Sequence, residues 1–473
     1  MKIFTKKRVW LGILVIFIGV VIVGGIKFAP YLGKGPVGVG IKAKILCSGV
    51  FVSGREAQNV IEEDLSFHPL FNLIKWNVDH EAREVTTSLF GLIKNKAVYH
   101  DKLGAVLLSG ADAEEIRSWD VQIPEPLPIN PEEALWPTGD KLSDESLPGS
   151  INVEQLNKAV NSAFDDQDPD KPWRTRAVII VKDGRVVAER YANGITRETP
   201  LIGWSMSKSV TSALIGILVE QGKLSLEGAA PVPEWNTPDD PRNAITIDQL
   251  LRMSSGLKFE EEYETKPVAD VNRMFFTKQD MDAFAASFPL ETEPNGKWSY
   301  SSGTTNILAG IIQRSFDSRK EYWKFPREAL FNKLGMRSAV FETDATGMFV
   351  GAAYVYACAR DWARFGLLYL NDGVWEGERI LPDGWVQYTA TPTPKAPKGE
   401  YGAQFWLNKG YPGNPKNREY PTLPQEMIYC HGYQGQYTVI IPSMNLVIVR
   451  LGMDTEGALP FVKFMTGILD AVE

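Results

Sequence analysis

Ala177-Val-Ile-Ile-Val-Lys182, then Asp183-Gly184, then Arg185-Val-Val-Ala-Glu-Arg-Tyr191 form two β-rich runs across a two-residue turn signal. Asp-Gly suits the left-handed conformations of a tight hairpin, so the spacing predicts two adjacent antiparallel strands. A second pair stands near the other end of the chain: Tyr437-Thr-Val-Ile-Ile-Pro442, a Ser-Met-Asn turn, and Leu446-Val-Ile-Val-Arg450. Helix-patterned stretches flank the two pairs, Val153 to Phe164 before them and Leu459 to Val472 after them. Between the hairpins the pattern is mainly helical with loops. The fold read from this is α+β: an antiparallel sheet assembled from both ends of residues 150–473, flanked by helices, with a mainly helical lobe inserted in the middle.

Upstream, Pro124, Pro126, Pro128, Pro131 and Pro137 mark residues 121–149 as an extended linker, because each proline fixes φ and removes a donor. Residues 31–120 form an accessory region with short strand-like runs such as Ala105-Val-Leu-Leu-Ser109. Val9 to Ile26 is an apolar and glycine run of 18 residues, long enough to cross a bilayer as a helix. Lys6-Lys7-Arg8 precedes it, which favours a cytoplasmic tail over residues 1–8, a membrane anchor over 9–27 and a body outside the cytoplasm. The alternative is a cleaved signal peptide; the exit sequence Gly24-Gly25-Ile26-Lys27-Phe28-Ala29-Pro30 lacks a good cleavage pattern.

The formal charge of −8 hides an asymmetry: Lys2, Lys6, Lys7, Arg8 and Lys27 leave −13 on the rest of the chain. A body that acidic repels phosphate backbones, which argues against nucleic acid as a partner. Three cysteines, Cys47, Cys358 and Cys430, make no closed disulfide framework and read as buried thiols. Four scattered histidines offer little for a metal site, and neither a metal nor another cofactor is expected.

Gly203-Trp204-Ser205-Met206-Ser207-Lys208 opens an amphipathic helix, with Val210, Ala213, Leu214, Ile217 and Leu218 on one face and Gly222 at its stop. Ser205 therefore stands where free N–H groups and the helix dipole favour developing negative charge. Lys208, one turn on, rises on the same face. A lysine activates a serine only when burial or a nearby cation lowers its pKa. An N-cap serine with a surface lysine has the same spacing, and a second copy, Ser255-Gly256-Leu257-Lys258, reads as a turn. Two further elements lend support. Trp298-Ser299-Tyr300-Ser301-Ser302-Gly303 precedes an apolar helix, and a Tyr300 phenol with its pKa depressed beside Lys208 is expected to take the serine proton and pass it to a leaving group. Cys430-His431-Gly432-Tyr433-Gln434-Gly435-Gln436 precedes the second hairpin, where glycines admit a substrate backbone and an edge N–H completes an oxyanion hole.

Taken in order, these motifs resemble the serine β-lactamase and penicillin-binding-protein superfamily, in the class C-like branch that also holds esterases, D-aminopeptidases and 6-aminohexanoate-dimer hydrolases. The resemblance runs from Arg176 to Gly452 and includes Ile245-Thr-Ile-Asp-Gln-Leu-Leu-Arg-Met-Ser-Ser-Gly-Leu257 and Gly351-Ala-Ala-Tyr-Val-Tyr-Ala-Cys-Ala-Arg-Asp-Trp-Ala-Arg-Phe-Gly366. It implies a β-lactamase-like fold, Ser205 as acylated nucleophile, Lys208 as its proton partner and Tyr300 as second general acid/base. It also implies one oxyanion donor at the Ser205 N–H and another near Tyr433 or Gln434. Two departures stand out. Ser302 replaces a substrate-positioning amide, and His431-Gly432-Tyr433 stands where Lys-Thr-Gly is usual, so the cation expected to grip a β-lactam carboxylate is missing. The expected substrate is a small ester, amide or short peptide-like molecule, with Trp204 as a cleft wall.

Two rival readings remain at this level. One is an α/β-hydrolase using Ser205 and His431, disfavoured because position 207 is Ser rather than Gly in the nucleophile elbow. The other is a membrane-tethered domain that binds cell-wall peptide or a partner without turnover.

Overall fold

The computed structural model describes residues 33–472 apart from 127, 169–170, 412, 415 and 455–456. The expected membrane run Val9 to Ile26 lies outside the described residues; among those described, no helix is long and apolar enough to cross a membrane.

Both hairpins form and meet in one six-stranded antiparallel sheet. Its order is Trp406–Leu407, Ile428–Gly432, Gln436–Ile441, Leu446–Gly452, Thr175–Lys182, Arg185–Tyr191. Leu446 pairs with Lys182 and Arg450 with Val178, so the two ends of the domain close on each other at the sheet centre. The first turn holds Asp183 at φ 52° and Gly184 at φ 74°, the two left-handed positions that the strand twist demands. Alternation then divides the strands between two cores. Val178, Ile180, Val439, Ile441 and Ile448 face helices Val153–Ser162 and Phe461–Val472. Ile179, Val181, Ile440, Val447 and Val449 face the larger core, which holds helices Met206–Glu220 and Ala359–Leu370. The inserted lobe is helical as read, with Ser302–Arg314 packed on Met206–Glu220.

The Pro-rich segment, expected to be extended, instead folds through hydrogen-bonded turns between Asn130 and Asp140 and is fastened to the domain. The Trp136 indole donates to the Gly184 carbonyl at 3.0 Å, and the Arg364 guanidinium donates to the carbonyls of Pro137 and Gly139 at 2.8 and 2.7 Å.

Residues 33–51 form a buried helix that the sequence reading did not foresee. Glycine costs about 1 kcal/mol per position in a helix, and Gly33, Gly35, Gly38 and Gly40 hide the pattern. Packing explains one of them: a Cβ on Gly40 would lie 2.1 Å from the Phe276 carbonyl oxygen, so the close approach to the helical lobe requires glycine. A four-stranded antiparallel meander follows, Ile74–Asp79, Glu84–Leu89, Ile93–His100 and Gly104–Leu107. Helix 33–51 is clamped on both sides. Lys42 Nζ donates to the carbonyls of Phe71 and Ile74 at 2.9 and 2.8 Å. Lys44 Nζ meets Glu342 Oε2 at 2.6 Å, while Ser48 Oγ and the Ala105 N–H donate to Glu342 Oε1 at 2.9 and 2.7 Å. Val37, Leu46, Leu70 and Leu107 consequently share one core with Ile202, Phe275 and Tyr356.

Candidate active site

Leu201–Ile202 delivers the chain to a sharp turn before helix Met206–Glu220. Gly203 lies against Trp362, whose Cζ2 would be 2.3 Å from a Cβ, and Trp204 adopts φ 46°. A bulky residue in the left-handed region is strained, and such positions persist where the surroundings over-determine them. The turn places Ser205 at the helix N-cap with its side chain left free of capping. Lys208 Nζ reaches Ser205 Oγ at 2.9 Å, Ser302 Oγ at 3.0 Å and the Ala352 carbonyl at 3.0 Å. Three acceptors therefore match the three donors of an ammonium.

Lys208 is 1 % exposed. Burial pulls its pKa from the usual lysine range down to about 8, against the opposing charge of Glu261. The amine is thus a usable base just above neutrality. Tyr300 shares a side-chain hydrogen bond with Ser205, and Lys208 Nζ lies 4.9 Å from its ring centre. The expectation of a depressed phenol is not met: burial raises Tyr300 well above the usual tyrosine value, and the Ser205 hydrogen bond opposes this only in part. Lys208, not a tyrosinate, is the group able to lose a proton near pH 8, and the phenol stands ready as a donor.

The acid at position 261 escaped the sequence reading. Glu261 accepts from the Ser302 N–H at 2.8 Å and from Ser302 Oγ at 2.5 Å. This makes a directional chain, Lys208 N–H to Ser302 Oγ, then Ser302 O–H to Glu261. Burial raises the Glu261 pKa while the Lys208 charge lowers it. Ser302 thus couples the two ionisable groups.

Ser205, Tyr300, Ser302, Trp204, His431, Gly432, Tyr433, Gln434 and Glu261 line a single cavity of about 880 Å³, with Lys208 beneath its floor. Strand Ile428–Gly432 abuts the turn before Ser205 so tightly that a Cβ on Gly432 would lie 2.1 Å from the Gly203 carbonyl oxygen. Tyr433 packs edge-on against Trp204 and Tyr263 at 5.7 and 5.2 Å, and Gln434 turns the chain at φ 62°. His431 stacks on Tyr437 at 4.4 Å, and burial lowers its pKa to about 4. It is neutral at pH 7 and does not replace the missing cation. Ser205 receives its hydrogen bond from Lys208 and the sheet is antiparallel throughout, which removes the α/β-hydrolase reading. Ser255 and Lys258 lie outside the helices, in the loop that Gly256 turns at φ 77°. All three cysteines are buried free thiols.

Comparison with known proteins places the family and the fold. The Beta-lactamase family model matches residues 168–459. A 6-aminohexanoate-dimer hydrolase of Paenarthrobacter ureafaciens is 27% identical over 301 residues, covering 59% of this chain and 72% of that protein. Among solved structures, a family VIII carboxylesterase superposes with TM-score 0.52 at 13% identity, over 69% of this chain and 98% of its own. A penicillin-binding-protein homologue from Caulobacter crescentus gives TM-score 0.51 at 17% identity, over 68% and 97%. Both structures share the fold. With the family model spanning more than half of the sequence, the chain belongs to the Beta-lactamase family and is a serine hydrolase of the β-lactamase-like superfamily.

Proposed function

We propose that the protein hydrolyses an ester or amide bond through an acyl-enzyme on Ser205. The carrying observation is the 2.9 Å contact from a buried, pKa-lowered Lys208 to Ser205 Oγ. As a neutral amine, Lys208 takes the Ser205 proton while Oγ bonds to the substrate carbonyl carbon. The oxyanion is held by the Ser205 N–H at the helix N-terminus and by a backbone N–H of the Tyr433–Gln434 turn. Tyr300 gives its proton to the leaving oxygen or nitrogen as that bond breaks, and regains one from Lys208. Water then attacks the acyl carbon by the same route in reverse, releasing acid and free Ser205. Short amide oligomers of the kind named for the Paenarthrobacter relative belong on the list of substrates to try. A neutral His431 argues against a β-lactam carboxylate. The run Val9–Ile26 behind Lys6-Lys7-Arg8 supports a tethered body outside the cytoplasm.

A fluorophosphonate probe tests the reading against a binding protein without turnover. Covalent label on Ser205, lost in Ser205→Ala, is expected, together with ester turnover and poor turnover of nitrocefin. A folded protein that takes no label would establish the binding role instead.

Glu261 acts as a positioning residue, through Ser302, on Lys208. Its negative charge favours the ammonium, so Glu261→Gln should lower the Lys208 pKa. The wild-type rate should rise with pH through about 8, and the variant should reach its plateau at lower pH. A pH profile of kcat/KM decides this; an unmoved limb in a folded variant would remove Glu261 from the mechanism.

A further inference from the structure

The cavity that holds Ser205 extends well past the reacting groups, along helix 33–51. Val37, Ile41 and Ile45 line it at i, i+4 and i+8, one face of the helix, and Lys34 and Gly49 extend that face. At 1.5 Å per residue the wall from Lys34 to Gly49 is roughly 22 Å long. Phe71, Leu201, Ile202, Val271 and Phe275 add further apolar lining. Protein interiors are close-packed with few voids larger than a water molecule, so an elongated apolar space of this size beside a nucleophile calls for an occupant. Charge at one end does not supply a ligand site: Arg55 and Arg176 already pair with Asp64 and with Glu63. The helix starts against the meander, where a Cβ on Gly35 would lie 2.6 Å from Ile93 Cδ1 and 3.1 Å from Leu89 Cδ2. Near that end Phe67 lines the cavity yet is 45% exposed. The rim is mixed, since Lys34, His68, Glu264 and Asn272 also line the cavity and none of them is buried.

We propose that the substrate carries a long unbranched hydrocarbon chain beside the scissile carbonyl, seated along helix 33–51. The inference rests on Ser205 being the nucleophile and adds to it the class of substrate. A short ester fills only the space around Trp204 and Tyr433. A chain of eight or more carbons reaches Ile45 and Ile41 and removes its methylenes from water against them. Each buried methylene then raises kcat/KM by about two- to fourfold. The accessory region thereby becomes a specificity element, because it supplies one whole wall.

The experiment uses the full chain in a fixed concentration of one detergent, with p-nitrophenyl butanoate, octanoate and dodecanoate and with the matching n-alkyl acetates. One series should gain at least about tenfold in kcat/KM between four and twelve carbons, and which series does so identifies the acyl or the alcohol side. Ile41→Trp fills the furrow and should cut the dodecyl substrate at least about tenfold while leaving the butyl one within about twofold. Fluorophosphonate labelling of Ser205 checks that the reacting centre of the variant is intact. Binding is read separately in Ser205→Ala, where dodecanoate should raise Tm and the added Ile41→Trp should abolish that rise. Flat or falling rates in both series, or equal loss on short and long substrates in a labelled Ile41→Trp, would overturn the proposal. Absent label and absent turnover with a dodecanoate-induced Tm rise would instead overturn the hydrolytic reading and leave the furrow standing.

Discussion

Replacing Lys208 with Ala should lower kcat/KM for a p-nitrophenyl ester by roughly 10³- to 10⁴-fold, the upper part of the range for general acid–base catalysis. The size follows, on the proposed mechanism, from the lack of a second base at Ser205 among the described residues. Burial raises Tyr300 beyond reach at working pH, and His431 is neutral but stacked on Tyr437 without a bond to Ser205. Glu261 contacts Ser302, not Ser205. Ser205→Ala sets the floor, and Lys208→Met, which keeps most of the buried volume, separates lost chemistry from a cavity left in the floor. The rise through pH about 8 should vanish in both lysine variants. His431→Ala should cost no more than about tenfold, the scale of a lost packing contact in a cleft wall. Near-normal turnover in Lys208→Met would require another base and would overturn the assignment of Lys208.

Why some of this was legible in the sequence and some not has a physical basis. The two hairpins declared themselves because strand alternation and Asp-Gly turn chemistry are local, and the same residues later sort cleanly onto the two faces of the sheet. Ser205, Lys208 and Tyr300 were singled out by motif order, and the fold brings them together, one helical turn sufficing to put the first two within 2.9 Å. Motif order gives neighbours, however, and not burial. The direction of the Tyr300 shift was therefore misread, since desolvation outweighs its hydrogen bond. Glu261 sits inside Glu260-Glu261-Glu262, a run that reads as solvated surface, and only the fold shows which of the three turns towards Ser302. Helix 33–51 was hidden for a third reason. Gly40 answers to the close approach of Phe276, so a local propensity argument points the wrong way there.

The same helix gives the largest expected effect on stability. Glu342→Ala should destabilise the protein by about 3–5 kcal/mol, the range for breaking one side of a buried ion pair. Lys44 is fully buried, and with Glu342 gone its ammonium would be left uncompensated or would have to shed its proton, while Ser48 Oγ and the Ala105 N–H would lose their acceptor together. The cost lies in the unpaired remainder and not in the pair as such. A Lys44→Met, Glu342→Leu double variant should therefore recover much of the loss. Urea unfolding of the full chain measures both, and because helix 33–51 shares its core with the catalytic domain, one transition should move as a whole. Lys44 lies between Ile41 and Ile45 in sequence, so the clamp that holds the helix also sets the wall of the cavity. In the folded fraction of Glu342→Ala, turnover of a dodecyl ester should fall further than turnover of a butyl ester. Equal loss on both would show that the clamp supports the fold without shaping the site.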